Sequence, residues 1–584
     1  MARTPFAALA ETFAKLEATS SSLKMIDILA GFFTRLSPEE ARMAAYLLRG
    51  RVAPEFLPVE LGIADKLVIR ALTQSTGVPI AKIKQSFRKT GDLGDAAALA
   101  GNDRKRGPSL AEVFRQLEEI ARVSGSGAQE AKVRLLVGLL HKCSRREAKY
   151  VVRIVLGRLR LGVAEMTFLS GLSKALTGSR EHKSTLEYAY NVLSDLGEVA
   201  ELAVRKGVAA LQTVQPELGK PVRMMLAQRI RDVAAVPKQI PGLVHVEYKY
   251  DGERAQAHVW KRGGVVLFSR RLENITHQFP DVVAAIRSAL HGKAAIVEGE
   301  VVAVDPQTGR LLDFQTLMRR RRKHEVEEYV RKIPVRYFLF DLLYLKGKSF
   351  LKKPLHERKK SLAGAVARSG QDAEARDPVV LAKYAQTQDP EEIESFFAEA
   401  VAWGAEGVVI KDAQSIYEAG TRGRHWIKYK KEYQEGLADT FDGVVIGGLY
   451  GKGARAGTYG SLLVAAFDPE ANRYASFTKV GSGFTQEQLK QLPKKLRSYE
   501  RPERHPLVIT GMHADIWFDP ALVMEVTGAQ LTISPVHAVA KDKVKKGGLA
   551  LRFPRFLRWR PDKAPEQATT VAEIYDLYRM VKRH

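Results

Sequence analysis

The stretch Val244-His-Val-Glu-Tyr-Lys249-Tyr-Asp-Gly-Glu-Arg254 reads as a β-strand running into a tight turn. Val244 to Tyr248 is β-branched and aromatic, and Asp251-Gly252 supplies the turn residues. Lys249 therefore ends the strand, where a side chain can point into a cleft. An amine becomes a good nucleophile only when its pKa falls from the ordinary 10.4 or so. Burial or neighbouring cations do that. Lys411, Lys428 and Lys430, in two other basic strand-like segments, are the cations this chain offers. A lysine two residues before Asp-Gly is a short pattern, and taken alone it reads equally well as a hairpin turn.

Working outward, further short strands follow at Ala255 to Trp260, Val265 to Ser269, Ile296 to Val304 and Tyr337 to Leu345. Helical stretches, Pro280 to Leu290 and Pro390 to Trp403, lie between the strands. This alternation predicts an α+β domain. Before it the chain reads as helical. Leu9, Phe13 and Leu16 recur at helical spacing, and Ser37-Pro-Glu-Glu40 and Ser144-Arg-Arg-Glu147 are capping boxes. Gly91-Asp-Leu-Gly94 and Gly101 to Pro108 read as loops, and Pro216 to Pro221 as a linker. After about residue 434 strands dominate: Asp442 to Gly447, Ser461 to Phe467 and Tyr474 to Val480, with a glycine turn at Gly451 to Gly453.

Composition narrows the class. Lys plus Arg number 92 and Asp plus Glu 66 in 584 residues, a surplus of 92 − 66 = +26. That balance suits a polyanion, most simply nucleic acid. The single cysteine, Cys143, excludes an intrachain disulfide and any multi-cysteine zinc or iron–sulfur site. Glu11, Lys15 and Glu17 interrupt any apolar signal region, and no apolar run approaches the roughly 20 residues of a membrane span. The expectation is a soluble protein of the reducing cytoplasm. The five consecutive cations Arg319 to Lys323 are the most notable charge run, and their plain reading is a solvated helix face.

Other segments accompany the lysine in order: Ser269-Arg-Arg-Leu-Glu-Asn274, Glu298-Gly-Glu300, Phe338-Leu-Phe-Asp341, Glu406-Gly-Val-Val-Ile-Lys411, Trp426-Ile-Lys-Tyr-Lys430, and Arg552-Phe-Pro-Arg-Phe556 with Arg560-Pro-Asp-Lys563. The series resembles the ordered motifs of covalent nucleotidyltransferases, and specifically of ATP-dependent DNA ligases of the three-domain replicative type found in archaea. Gly91 to Gly94, Ala121 to Gly127 and Arg158-Leu-Arg-Leu-Gly162 resemble that family's helical DNA-binding domain. The resemblance implies an all-α DNA-binding domain over residues 1–215 and an α+β adenylation domain with antiparallel sheets over 216–433. A C-terminal β-barrel OB-fold would occupy residues 434–584.

It also implies roles. Lys249 would attack the α-phosphate of ATP and become lysyl-AMP. Glu247 would contact the adenine edge and Phe340 stack on its face, with core packing the rival reading for Phe340. Arg254 and Arg270 would hold ribose and phosphate groups, including the nick's 5′-phosphate. Glu300 and Glu406 would bind the ribose or a magnesium ion, for which manganese could substitute. Arg422, Lys428 and Lys430 would neutralise the α-phosphate, with Arg424 a near alternative to Arg422. Arg560 and Lys563 would orient the leaving pyrophosphate. Nucleotidyl transfer needs such a set: an in-line nucleophile, cations around the phosphate oxygens and a metal bridging charge.

The implied substrate is a nick in duplex DNA, sealed by a monomer in replication, recombination and repair. Nine cations between residues 541 and 563, against Asp542 and Asp562, suit a C-terminal domain that swings, with Lys431 to Gly436 as its hinge. Gly528-Ala-Gln530 stands where the family often has an acidic residue. Ile26, Leu29, Phe32 and Phe33 lack the leading Gln of a sliding-clamp motif and read as helix core. A capping guanylyltransferase would lack the long helical region before Lys249, and a zinc-bearing NAD-dependent ligase is excluded by the lone cysteine.

Overall fold

Two β-sheets organise the region around Lys249. The computed structural model describes residues 4–100, 107–230, 232–320, 326–366, 377–430, 440–451, 458–545 and 547–583. The strands up to Lys430 are β1 (Gln228–Arg229), β2 (Val244–Lys249), β3 (Glu253–Val259), β4 (Val265–Ser269), β5 (Ala295–Ala303), β6 (Val335–Leu345), β7 (Lys348–Ser349), β8 (Val379–Leu381), β9 (Tyr384–Thr387), β10 (Gly407–Asp412) and β11 (Trp426–Lys430). One sheet has the order β1-β11-β10-β2-β9, the other β4-β3-β5-β6-β7 with β8 beside β6. Pairing is antiparallel at β2–β9, β2–β10, β3–β4, β3–β5 and β5–β6. It is parallel at β1–β11 and β6–β8. The turn Tyr250–Gly252 passes the chain from β2 in the first sheet to β3 in the second. Each sheet packs its own core. Val246, Val408, Ile410 and Phe396 fill one, and Ala257, Val297, Leu339 and Ile286 the other.

Helices make up the region before β1, from Phe6–Glu17 to Leu196–Lys206. The capping boxes at Ser37 and Ser144 form as the sequence predicts. Ile26, Leu29, Phe32 and Phe33 are buried, in keeping with helix core. The expected loop at Gly91 to Gly94 is shorter than read: Leu93 and Gly94 already belong to the helix Leu93–Ala100. The Asp92 carboxylate accepts the Gly94 N–H at 2.7 Å, as a cap does, so the turn residues start a helix. Part of the cation run is also corrected. Arg320 is buried and paired with Asp281 at 2.9 Å rather than solvated, while residues 321–323 lie outside the described residues.

The chain divides into two units, Met1–Tyr429 and Lys430–His584. The helical region and both sheets share the first. The second is built on a curled eight-stranded sheet. Its strand Phe441–Tyr450 pairs with Tyr459–Asp468 along one edge. On the other edge it pairs with Val523–Thr527 by its first half and Ile516–Phe518 by its second. A bulge between Val445 and Gly447 bends it where the partner changes. Apolar residues of the concave face, among them Leu462, Val464, Phe477 and Met524, pack inside with the helix Gln486–Leu496. The proposed hinge, Lys431 to Gly436, falls outside the described residues. No helix among them is long and apolar enough to cross a membrane.

Candidate active site

Lys249 stands at the end of β2, opposite Gly407 of β10. Its carbonyl accepts the Glu406 N–H at 2.8 Å, which places the Glu406 side chain beside the lysine's own. The Lys249 Nζ lies 2.6 Å from Glu406 Oε2, with both side chains about one-fifth exposed, at 24% and 21%. The turn after Lys249 demands glycine, because a Cβ on Gly252 would come 2.2 Å from the Val301 carbonyl and 3.0 Å from the Glu300 side chain. That close approach brings Glu300 of β5 to the same place. Burial pushes the Glu300 carboxyl up to about 8, with Lys249 and Arg254 opposing the rise. Burial, then hydrogen bonding to Glu406, pushes Asp251 up to about 6.

Behind Lys249 lies a buried charge cluster. Glu247, two residues before Lys249 and hence on the same face of β2, pairs with Lys411 at 2.7 Å and Lys359 at 2.8 Å. Burial opposes its ionisation, but the two lysines outweigh it and hold the carboxyl below the ordinary range. Lys411 thus sits otherwise than expected. It lies opposite His245, four residues along β2 from Lys249, about 13 Å at strand spacing. Its ammonium serves Glu247 and the faces of Trp426 (4.1 Å) and Phe340 (4.6 Å). Burial pushes Lys411 down to about 8. Further back, Arg358 binds Asp341 through two hydrogen bonds of 2.7 and 3.1 Å, and both side chains are fully buried.

Phe340 of β6 is half-buried, edge-on to Trp426, with Arg254 5.2 Å from its ring centre. Arg254 is held by Glu298 at 2.7 Å and by the Met225 carbonyl at 2.7 Å. Its buried Nε has no hydrogen-bond partner among the described residues. Arg270 follows β4. Partial burial, then repulsion from Arg254 and Arg422, lowers its pKa, so the three arginines share one field. Arg422 and Arg424 are exposed on the loop before β11. Lys428 and Lys430 lie on the same face of β11 as Trp426 by strand alternation. Arg560 and Lys563 belong to the second unit, where both grip Asp442: Arg560 at 2.9 and 3.0 Å, Lys563 at 2.6 Å.

The structure therefore brings Lys249, Glu247, Arg254, Arg270, Glu300, Phe340 and Glu406 to one region of the first unit. Sequence reading missed Lys359, Gln256 and Tyr417 there, and Asp442 in the second unit. The one signal for Lys359 was its place in the basic helix Leu355–Ala365, which reads as surface. No group of three or more His, Cys, Asp or Glu among the described residues forms a ready-made metal cage. Glu300 and Glu406 nonetheless fit magnesium, which takes one or two carboxylates and completes its shell with substrate oxygens and water. Glu300, whose ionisation burial opposes and which the neighbouring Glu406 disfavours further, is a donor that a divalent cation would relieve.

Comparison with known proteins agrees with this geometry. Three family models match in chain order: DNA ligase N terminus over residues 5–173, ATP dependent DNA ligase domain over 224–430, and ATP dependent DNA ligase C terminal region over 455–563. A DNA ligase 2 of Thermofilum pendens is 44% identical over 597 residues, spanning 99% of this chain and 98% of its own. A DNA ligase of Pyrobaculum islandicum is 45% identical, spanning 99% of both. Among solved structures, Pmar-Lig_PreS3 shares the fold at a TM-score of 0.54 and 18% identity, covering 94% of this chain and 99% of its own. The chain belongs to the ATP-dependent DNA ligases, enzymes that seal nicks in duplex DNA through a lysyl-AMP intermediate.

Proposed function

We propose that Lys249 is the residue that carries AMP, and that the groups around it divide the work of three transfers. The Lys249 amine attacks the α-phosphorus of ATP; a P–N bond forms, the bond to pyrophosphate breaks, and pyrophosphate leaves. The nick's 5′-phosphate oxygen then attacks the same phosphorus and the P–N bond returns its electrons to the amine. Finally the 3′-hydroxyl attacks the 5′-phosphorus; a P–O bond forms, the hydroxyl proton passes to solvent, the bond to AMP breaks, and AMP departs. The observation that carries this reading is the Lys249–Glu406 pair of 2.6 Å at the mouth of β2, with Glu300 and Arg254 beside it. Before attack the ammonium must lose a proton to solvent, and Glu406, paired with Nζ at 2.6 Å, orients the amine.

Glu247, kept anionic by Lys359 and Lys411, can only accept hydrogen bonds, which suits the adenine amino group. Phe340 offers its face to the base. Arg254 and Arg270 serve ribose and phosphates, and Arg422, Lys428 and Lys430 the α-phosphate. Arg560 and Lys563 act on the pyrophosphate side, exchanging Asp442 for phosphate oxygens. Magnesium held by Glu300 and Glu406 would neutralise phosphate charge. The surplus of +26 supports duplex binding through phosphates by an enzyme that acts as a monomer inside the cell, in replication and repair.

Incubation with ATP labelled in the α-phosphate should leave covalent label on the protein, and Lys249→Ala should leave none. Label persisting on Lys249→Ala would overturn the assignment. Nick sealing compared with ATP, GTP and NAD then tests the role of Glu247.

A further inference from the structure

The segment joining the helical region to β1, residues 219–228, has no ladder of its own until Gln228, yet side chains hold its backbone at nearly every turn. Three successive residues on one face of β3 take it. His258 Nδ1 accepts the Gly219 N–H at 3.1 Å. Gln256 Oε1 accepts the Val222 N–H at 2.8 Å, and Gln256 Nε2 donates to the Val222 carbonyl at 3.0 Å. Arg254 donates to the Met225 carbonyl at 2.7 Å. Val222 and Met225 are fully buried.

Gln256 is the centre of this row. Besides Val222 it donates from Nε2 to Glu298 Oε1 at 3.0 Å, and its Oε1 takes His258 Nε2 at 2.9 Å. Two donors and two acceptor sites are thus all used, and the amide has one orientation that satisfies them. Glu298 in turn holds Arg254 and accepts the Tyr417 hydroxyl at 2.9 Å, while that hydroxyl accepts the Met225 N–H at 2.9 Å.

The other edge of the same segment holds the Arg422 loop. Gly420 N–H donates to the Arg223 carbonyl at 2.8 Å, and Leu226 N–H to the Thr421 carbonyl at 2.8 Å. Gly420 is pinned further: its φ is +71°, and a Cβ there would meet the Asn191 side chain at 2.6 Å. Asn191, in the helix Lys183–Leu193, also takes the Arg223 N–H on its carbonyl at 2.7 Å. One strand of backbone therefore touches the end of the helical region, the β3 face carrying Arg254, and the loop carrying Arg422.

We propose that Gln256 is a positioning residue for nucleotidyl transfer: by locking Val222 and Glu298 it fixes where Arg254 and the Arg422 loop stand. This rests on the reading of Arg254 and Arg422 as phosphate-side groups. Gln256 itself is fully buried and would touch no substrate.

The test uses the full chain in four forms: parent, Gln256→Met, Arg254→Ala and the double variant. Lysyl-AMP formation from labelled ATP and sealing of a nicked duplex are measured, with rates normalised to the fraction of molecules that can be labelled. Gln256→Met should lower kcat for adenylation about tenfold, in the range that small misplacements of reacting groups produce. In the Arg254→Ala background the same change should cost clearly less than in the parent, since one of the two groups it positions is gone and only the part exerted through the Arg422 loop remains. Tyr417→Phe, a milder cut in the same network, should lower kcat in the same direction and covers the case in which Gln256→Met fails to fold. Equal losses from Gln256→Met with and without Arg254, or kcat within twofold of the parent in both Gln256→Met and Tyr417→Phe, would overturn the positioning role alone. An Arg254→Ala protein with undiminished kinetics would overturn the reading of Arg254 and the positioning role with it.

Discussion

Two of the places where this chain gathers cations around carboxylates, one in each unit, differ in exposure. In the first unit Asp341 and Arg358 are both 0% exposed, and Glu247 lies between two lysines at 3%. In the second, Asp442 holds Arg560 and Lys563 with side chains 12%, 16% and 32% exposed. Buried pairs cost desolvation to assemble and are hard to leave half-made, whereas water competes for exposed ones and lets them exchange. The buried set suits a frame that must hold still while the base binds. The half-exposed set suits cations that let go of one anion to take another.

The comparison breaks if the buried pair is cheap to cut. Asp341→Ala leaves Arg358 without its carboxylate in the core. It should cost about 3–5 kcal/mol of the first unit's stability, the range for stranding a buried charge. Denaturant unfolding followed by probes in the first unit measures this; a loss under about 1 kcal/mol would contradict the fixed-frame reading.

Next in size is the kinetic effect of removing one of the cations that hold Asp442. Arg560→Ala or Lys563→Ala should slow lysyl-AMP formation by about ten- to a hundredfold, as expected for losing one charge-assisted hydrogen bond of about 1.5–3 kcal/mol. The final step, sealing of a nick already carrying AMP, should change far less. Equal slowing of both would show that these cations do not serve the pyrophosphate side.

Protonation probes the fixed frame from another direction. Burial pushes His258 down to about 3 and His245 to about 4 in the first unit, and His537 to about 4 in the second. Between those values and the ordinary 6.5, the unfolded chain binds protons that the folded chain refuses, so stability falls as pH falls. His258 shows why. Its Nδ1 accepts the Gly219 N–H, and a proton there would face that donor. His258 alone should cost about 2 kcal/mol between pH 6.5 and 5, at 1.36 kcal/mol per unit. In the first unit Glu300 and Asp251, raised to about 8 and about 6, take up protons on folding over the same window and oppose the two histidines, so the histidine part of the slope is read from a variant. His258→Gln should remove that amount from the pH dependence of the first unit, and an unchanged pH dependence would place the titration elsewhere.

Much of this was legible in the sequence because function leaves local marks. Lys249 lies at a strand end before Asp-Gly, Glu300 and Glu406 adjoin apolar strands, and each motif is contiguous. The frame was not legible. Gln256 and His258 alternate with Ala255, Ala257 and Val259 in β3, which reads as one wet face and one dry. That wet face is covered by residues 219–225, a segment whose Gly219 and Pro221 mark only a linker. Lys359 follows Arg358 in a helix rich in cations, and nothing within that helix says that both are buried against Glu247 and Asp341 of other elements. Arg320 was misread in the same way, for Asp281 lies 39 residues before it. Tertiary pairing of charges has no period, so it escapes any reading of local pattern.

The smallest effect sharpens the contrast most directly, because it uses one reagent on both sites. Asp442→Ala should cost the second unit about 1 kcal/mol at low salt, the upper range for pairs that water can reach. At 1 M salt the screening length falls to about 3 Å, so most of that cost should vanish as counter-ions take the carboxylate's place. The cost of Asp341→Ala should persist, since ions cannot enter a site that water does not reach. If both penalties fell together with salt, exposure would not separate the two clusters. If neither fell, Asp442 would bind Arg560 and Lys563 too firmly for exchange, and their service to pyrophosphate would need some other release.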